Sequence, residues 1–171
     1  MNKSKRLICF SVQMISAAVL VLLDQWFKKL AVVQLMGKED IILIRNFIGL
    51  SYAENTGAAF SIFSDSTMFL SIVTLIIIVA GIIYLMLGKV EGKLMNVCAV
   101  LILAGGAGNL IDRFAQGYVV DYIKTLFIDF PVFNFADILV VVGVFVVCGY
   151  LIYDFIREEK QKKREKADGN S

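Results

Sequence analysis

The sequence predicts an α-helical integral membrane protein with four transmembrane helices and a small β-rich extracytoplasmic cradle between helices one and two. Three observations carry that prediction. Of the 171 residues 58% are apolar, with a single proline, and mean hydropathy is +0.77, an excess beyond what a soluble domain carries. The apolar residues gather into four runs, Leu7 to Leu23, Met68 to Leu87, Leu94 to Ile111 and Ile138 to Tyr153. Each run is near the roughly 17 to 25 residues that cross about 30 Å of hydrocarbon as a helix.

The first helix, about 7–23, follows "MNKSKR" in the manner of a secretory signal, but "DQWFKK" comes after it in place of a small-residue cleavage site. It is therefore expected to be retained. In the loop of about 40–63, Ile41, Leu43, Phe47, Ile48, Leu50 and Tyr52 are broken by Gly49, Gly57 and an Asn-Thr-Gly turn signal. That pattern predicts short strands whose apolar side chains are free to meet lipid or an apolar substrate. Asp65 and Ser66 are expected to cap the second helix, about 67–87. The short "GKVEGK" makes the third helix, about 94–112, its antiparallel neighbour. The fourth, about 134–155, reaches spanning length only when Phe133 to Asp137 is counted. Residues 1–156 form one membrane domain, and 157–171 are a basic tail, read as a solvated helical extension that attracts anionic lipid.

Lys3, Lys5, Arg6, Lys89, Lys93 and the basic tail fall on one side of the membrane. The positive-inside tendency places both termini in the cytoplasm and the loops around 24–66 and 112–133 outside. Net charge is only +2, and no nucleic-acid partner is expected. The chain has no His, and Cys9, Cys98 and Cys148 lie in separate apolar runs. A zinc or iron–sulfur site from the usual ligands is excluded, and no metal or cofactor is expected. The absence of an internal repeat counts against the inverted-repeat plan of transporters.

An ionised Asp in hydrocarbon costs about 2.5 to 3.5 kcal/mol even on an insertion scale, so intramembrane polar residues are the informative ones. Four places qualify. Helix one ends in "DQWFKK", with Asp24 and Lys28 one turn apart, a pattern that also suits a surface ion pair. "ENTGAAFS" holds Asn55, which equally fits a turn. "AGGAGNLIDR" puts Asn109, Asp112 and Arg113 on nearly one helix face, with glycines that permit close packing. Asp121 in "VVDYI" and Asp137 in "FNFAD" are sixteen residues apart, with Asn134 as the better-placed helix cap. Two carboxylates brought together by that loop cannot both ionise easily and share a proton. One then acts as base toward water and the other as acid toward a carbonyl oxygen, which cuts a peptide bond without nucleophile or metal.

Read in order, "DQWFKK", "ENTGAAFS", "GGAGNLIDR", "VVDYI" and "FNFAD" span nearly the whole chain. With the four-helix plan, the chain resembles lipoprotein signal peptidase (signal peptidase II), a bacterial inner-membrane family of aspartic proteases. The resemblance implies cleavage of the signal peptide from diacylglyceryl-modified prolipoproteins just before the lipidated Cys; separately, a monomer is expected. It implies a catalytic dyad of Asp121 and Asp137, supported by Asn109, Asp112, Arg113 and Asn134, with Asp24, Lys28 and Asn55 as further matched positions. The β-rich loop is similar to the family's substrate cradle. Ala104 where many members have Gly, and Tyr122 where Phe is frequent, are minor departures. The competing reading is a proton-coupled transporter. It is disfavoured because the polar residues cluster at one mouth, whereas alternating access needs a site reachable from both sides.

Overall fold

The computed structural model describes residues 3–57 and 67–168. It is a four-helix membrane bundle, α1 Lys3–Leu35, α2 Thr67–Met86, α3 Lys93–Gln116 and α4 Phe135–Asp168, with strands β1 Ile41–Ile44, β2 Ile48–Asn55 and β3 Val119–Thr125. All four helices are long and apolar enough to cross a membrane. The expected caps Asp65 and Ser66 lie outside the described residues.

α3 is the central helix and packs against α1, α2 and α4. Its composition explains why. Cys98, Val100, Leu103, Ala104, Gly105 and Gly108 are buried around much of its circumference. A Cβ at Gly105 would collide with the Ala136 carbonyl on α4, and one at Gly108 with the Asp24 carboxylate on α1. The glycines therefore do more than let apolar helices touch. At Gly108 the space of a methyl is occupied by a charged group.

Three helices run beyond the spans expected from the sequence, α4 by continuing through the basic segment to Asp168. Helix one does not end at "DQWFKK" but continues to Leu35, because "KLAVVQL" keeps good helix formers and an apolar face. Ala31 and Leu35 on this extension form a small core with Val120 and Tyr122, so the helix supplies the surface on which the sheet rests. α3 continues to Gln116 rather than stopping near residue 112.

The sheet is antiparallel in the order β1-β2-β3. Two strands come from the loop between α1 and α2, as expected, and the third from the segment read as a loop between α3 and α4. β3 was obscured because Val119, Val120, Asp121 and Tyr122 are all buried. Such a strand shows no alternation of apolar and polar residues. All four residues of β1 are exposed, and Phe47 stacks on Phe127 at the far end of the sheet, centroids 5.3 Å apart.

Candidate active site

The site is assembled where the N-terminus of α4 meets β3, α1 and α3. After β3 the chain folds back: Phe133 N–H donates to the Ile123 carbonyl at 3.0 Å, and Ile123 N–H donates to the Phe133 carbonyl at 2.7 Å. This antiparallel bridge brings Asn134, the next residue, onto Asp121. The Asn134 side-chain amide donates to Asp121 Oδ1 at 2.6 Å. Its backbone N–H donates to Asp137 Oδ2 at 3.0 Å, while Asp137 N–H donates to Asn134 Oδ1 at 3.0 Å. The last two bonds form a reciprocal capping box at the start of α4. Asn134 is the cap expected from the sequence, but Asp137, set aside there as a capping residue, takes part as the third residue of the helix. One residue thus holds both carboxylates.

The remaining N–H groups of the first turn of α4 would otherwise be unsatisfied. Phe135 N–H donates to the Tyr122 hydroxyl at 3.3 Å, and Ala136 N–H donates to Asp24 Oδ1 at 3.0 Å. Tyr122 is therefore no neutral replacement for Phe, since a Phe ring could not accept that bond. The positive end of the α4 dipole faces Asp24 and Asp137.

Lys28 anchors the other side. Its ammonium, 3% exposed as a residue, lies 2.9 Å from Asp24 and 2.9 Å from Asp112, and donates to Asn109 Oδ1 at 2.8 Å. Three donors meet three acceptors, so this is not the surface pair that the i,i+4 spacing also allowed. Asn109 passes the contact on, its amide donating to Asp137 Oδ1 at 2.7 Å. Asp112 in turn accepts from Val120 N–H at 3.2 Å, which ties β3 to α3 one residue before Asp121. Gln25, not singled out from the sequence, donates to Asp112 Oδ1 at 2.9 Å and to the Gly108 carbonyl at 3.1 Å. Its place inside "DQWFKK", next to Asp24, was the available signal.

Asn55 does both things its sequence context allowed. Its amide donates to Asp121 Oδ2 at 2.9 Å, and its Oδ1 accepts from Gly57 N–H at 3.1 Å. Asp121 is 2% exposed. Burial, and then the negative charge of Asp137, push its pKa up to about 7, outweighing the Asn55 and Asn134 amides that favour the ionised form.

Asp137 is only partly buried and, with Asn109 and Arg113, forms the polar end of a cavity of about 380 Å³ between α2, α3 and α4. Apart from Thr74, the rest of its wall is apolar, including Ile77, Ile102 and Val141. The Arg113 Nε is buried with no hydrogen-bond partner among the described residues, so Arg113 joins the site from the cavity side and not through the Lys28 network.

A family model for signal peptidase (SPase) II matches residues 16–153. The chain belongs to the signal peptidase II family. The lipoprotein signal peptidase of Enterococcus faecalis is 41% identical over 155 residues, covering 90% of this chain and 93% of that protein. That of Clostridium tetani is 38% identical over 144 residues, covering 82% and 92%. Two solved structures, each described as a bacterial membrane enzyme, superpose with TM-scores of 0.76 and 0.75 at 32% identity. The first covers 85% of this chain and 90% of that chain, the second 84% and 94%. The signal peptidase II match takes in every residue of the cluster from Asp24 to Asp137.

Proposed function

We propose that the protein is a membrane aspartyl endopeptidase that removes the signal peptide from diacylglyceryl-modified prolipoproteins, cutting just before the lipidated Cys, with Asp121 and Asp137 as the dyad. The observation that carries the reading is Asn134, which binds Asp121 through its side chain and Asp137 through its backbone. The pair holds one proton. Asp121, buried and raised to about 7, retains it and acts as acid toward the scissile carbonyl oxygen. Asp137, which lines the cavity, takes a proton from the attacking water. The water oxygen bonds to the carbonyl carbon, giving a tetrahedral intermediate. Its C–N bond then breaks as the proton held by Asp137 passes to the leaving amine, while one hydroxyl of the intermediate re-forms the carbonyl and returns its proton to Asp121, restoring the singly protonated pair. Asn109, Asn134 and Asn55 hold the carboxylates, while Lys28, Asp24 and Asp112 hold the asparagines and the strand. Arg113 faces the substrate cavity.

The apolar groove between α2, α3 and α4 suits the hydrophobic part of a signal peptide, and acyl chains on the Cys keep the scissile bond at the depth of the dyad. The protein acts as a monomer, with both termini in the cytoplasm, at the bacterial inner membrane. The test is purified protein in lipid or detergent, given a preprotein with and without diacylglyceryl on its Cys. Cleavage of the lipidated form alone is expected; equal cleavage of both forms, or of neither, overturns the reading.

A further inference from the structure

At the opposite end of the bundle a second cavity, of about 720 Å³, lies between the N-terminal halves of α1 and α3. Its size falls within the roughly 300 to 1,000 Å³ of small-molecule sites. The walls are mostly apolar, with Leu20 on one helix and Val100 on the other, and two cations, Arg6 and Lys93, also line it. Neither cation forms an ion pair among the described residues. Among the described residues the Arg6 guanidinium donates to the Leu87 carbonyl, at 3.4 Å. Lys3, Lys5 and Lys89 stand close in sequence, against the single acid Glu91.

The gap is a built feature. Before Asp24, Gln13 alone on α1 is buried. It crosses to α3 by donating to Asn96 Oδ1 at 2.6 Å, and the Asn96 amide holds the α2–α3 turn through the Val90 and Gly92 carbonyls at 3.0 and 2.7 Å. Over these N-terminal halves the two helices are thus tied by one polar side-chain contact among the described residues, with apolar space beside it and unpaired positive charge near its end.

We propose that this cavity binds one anionic glycerophospholipid from the leaflet on the side of the two termini. Its phosphate sits between Arg6 and Lys93, and an acyl chain lies between α1 and α3. The charge fits a phosphate diester, which takes donors from more than one cation well, and basic pockets between membrane helices suit anionic headgroups. The occupant completes the packing of α1, whose first half has little protein against it.

The experiment follows thermal unfolding of the full chain in neutral detergent with phosphatidylglycerol, phosphatidylcholine or inorganic phosphate. Native mass spectrometry counts the lipid retained. Phosphatidylglycerol should raise the unfolding midpoint by a few degrees with one lipid bound, and the other two should not. Arg6→Gln with Lys93→Gln should abolish the shift. So should Ser16→Phe, which fills the groove from an exposed position without altering charge. Lys160→Gln with Lys162→Gln, the same charge change on the exposed end of α4, should leave the shift intact. An equal response to phosphatidylcholine, a shift that survives Arg6→Gln/Lys93→Gln or Ser16→Phe, or one lost in the α4 variant overturns the proposal. A response to inorganic phosphate alone assigns the cations to a free anion and overturns the lipid.

Discussion

Asp137 has two duties, one in capping α4 and one, on the proposed mechanism, in catalysis, and they separate by choice of substitution. Asp137→Asn leaves an oxygen to accept from Asn134 N–H, whereas Asp137→Ala removes that half of the capping box and costs about 1 kcal/mol. Asp121→Asn and Asp137→Asn should each lower cleavage by about 100- to 10,000-fold or more while the protein still unfolds cooperatively; normal processing by both variants would falsify the dyad. Activity against pH tests the shared proton. Asp121 is raised to about 7, so the proton is held below that pH and lost above it, and the rate should fall as pH climbs past about 7. At low pH the pair takes up a second proton and the base disappears. The limbs belong to the pair rather than to either residue; a flat profile argues for other chemistry. Asn134 and Asp137 were legible in the sequence because an Asn and an Asp one turn apart at the mouth of an apolar helix have few ordinary explanations. Gln25 and Tyr122 were not, since an amide next to a charge and a ring in a strand are unremarkable until their partners are known.

At the level of elements, the site depends on β3 and the extension of α1. Neither could be read well from the chain. A strand buried along four successive residues looks like any apolar stretch, and the end of a membrane helix is invisible where the next residues also favour helix. The strands β1 and β2, with their turn signals, and the four spans were legible from periodicity and length. Lys28 is the joint between these elements, linking two acids of α1 and α3 and, through Asn109, the start of α4. Lys28→Met removes the only cation within ion-pairing distance of Asp24 and Asp112 among the described residues. Leaving buried charges unpaired costs about 3 to 5 kcal/mol, so the variant should unfold at markedly lower denaturant concentration, and cleavage should fall with it. An unchanged midpoint would mean that the ammonium is dispensable to the bundle.

Across the whole molecule, helix length sets the depth of the site. α1 has 33 residues, about 50 Å at 1.5 Å per residue, against about 30 Å of hydrocarbon. Asp24 stands about 32 Å from Lys3 along that axis, near one hydrocarbon thickness, so the polar cluster falls at a membrane boundary and the sheet beyond it. The orientation proposed from the basic residues is testable in a background lacking Cys9, Cys98 and Cys148. In intact cells an impermeant thiol reagent should label Lys38→Cys and leave Lys162→Cys unmodified; the reverse pattern inverts the topology.

The bonds that fix the start of α4 have a consequence in time. Asp24 is made early, yet the N–H it caps belongs to Ala136, and Asp121 waits for Asn134. During synthesis the first three helices are complete before either contact exists. On the proposed mechanism the nascent enzyme is silent until its last span has emerged and docked, so the fold itself delays proteolysis.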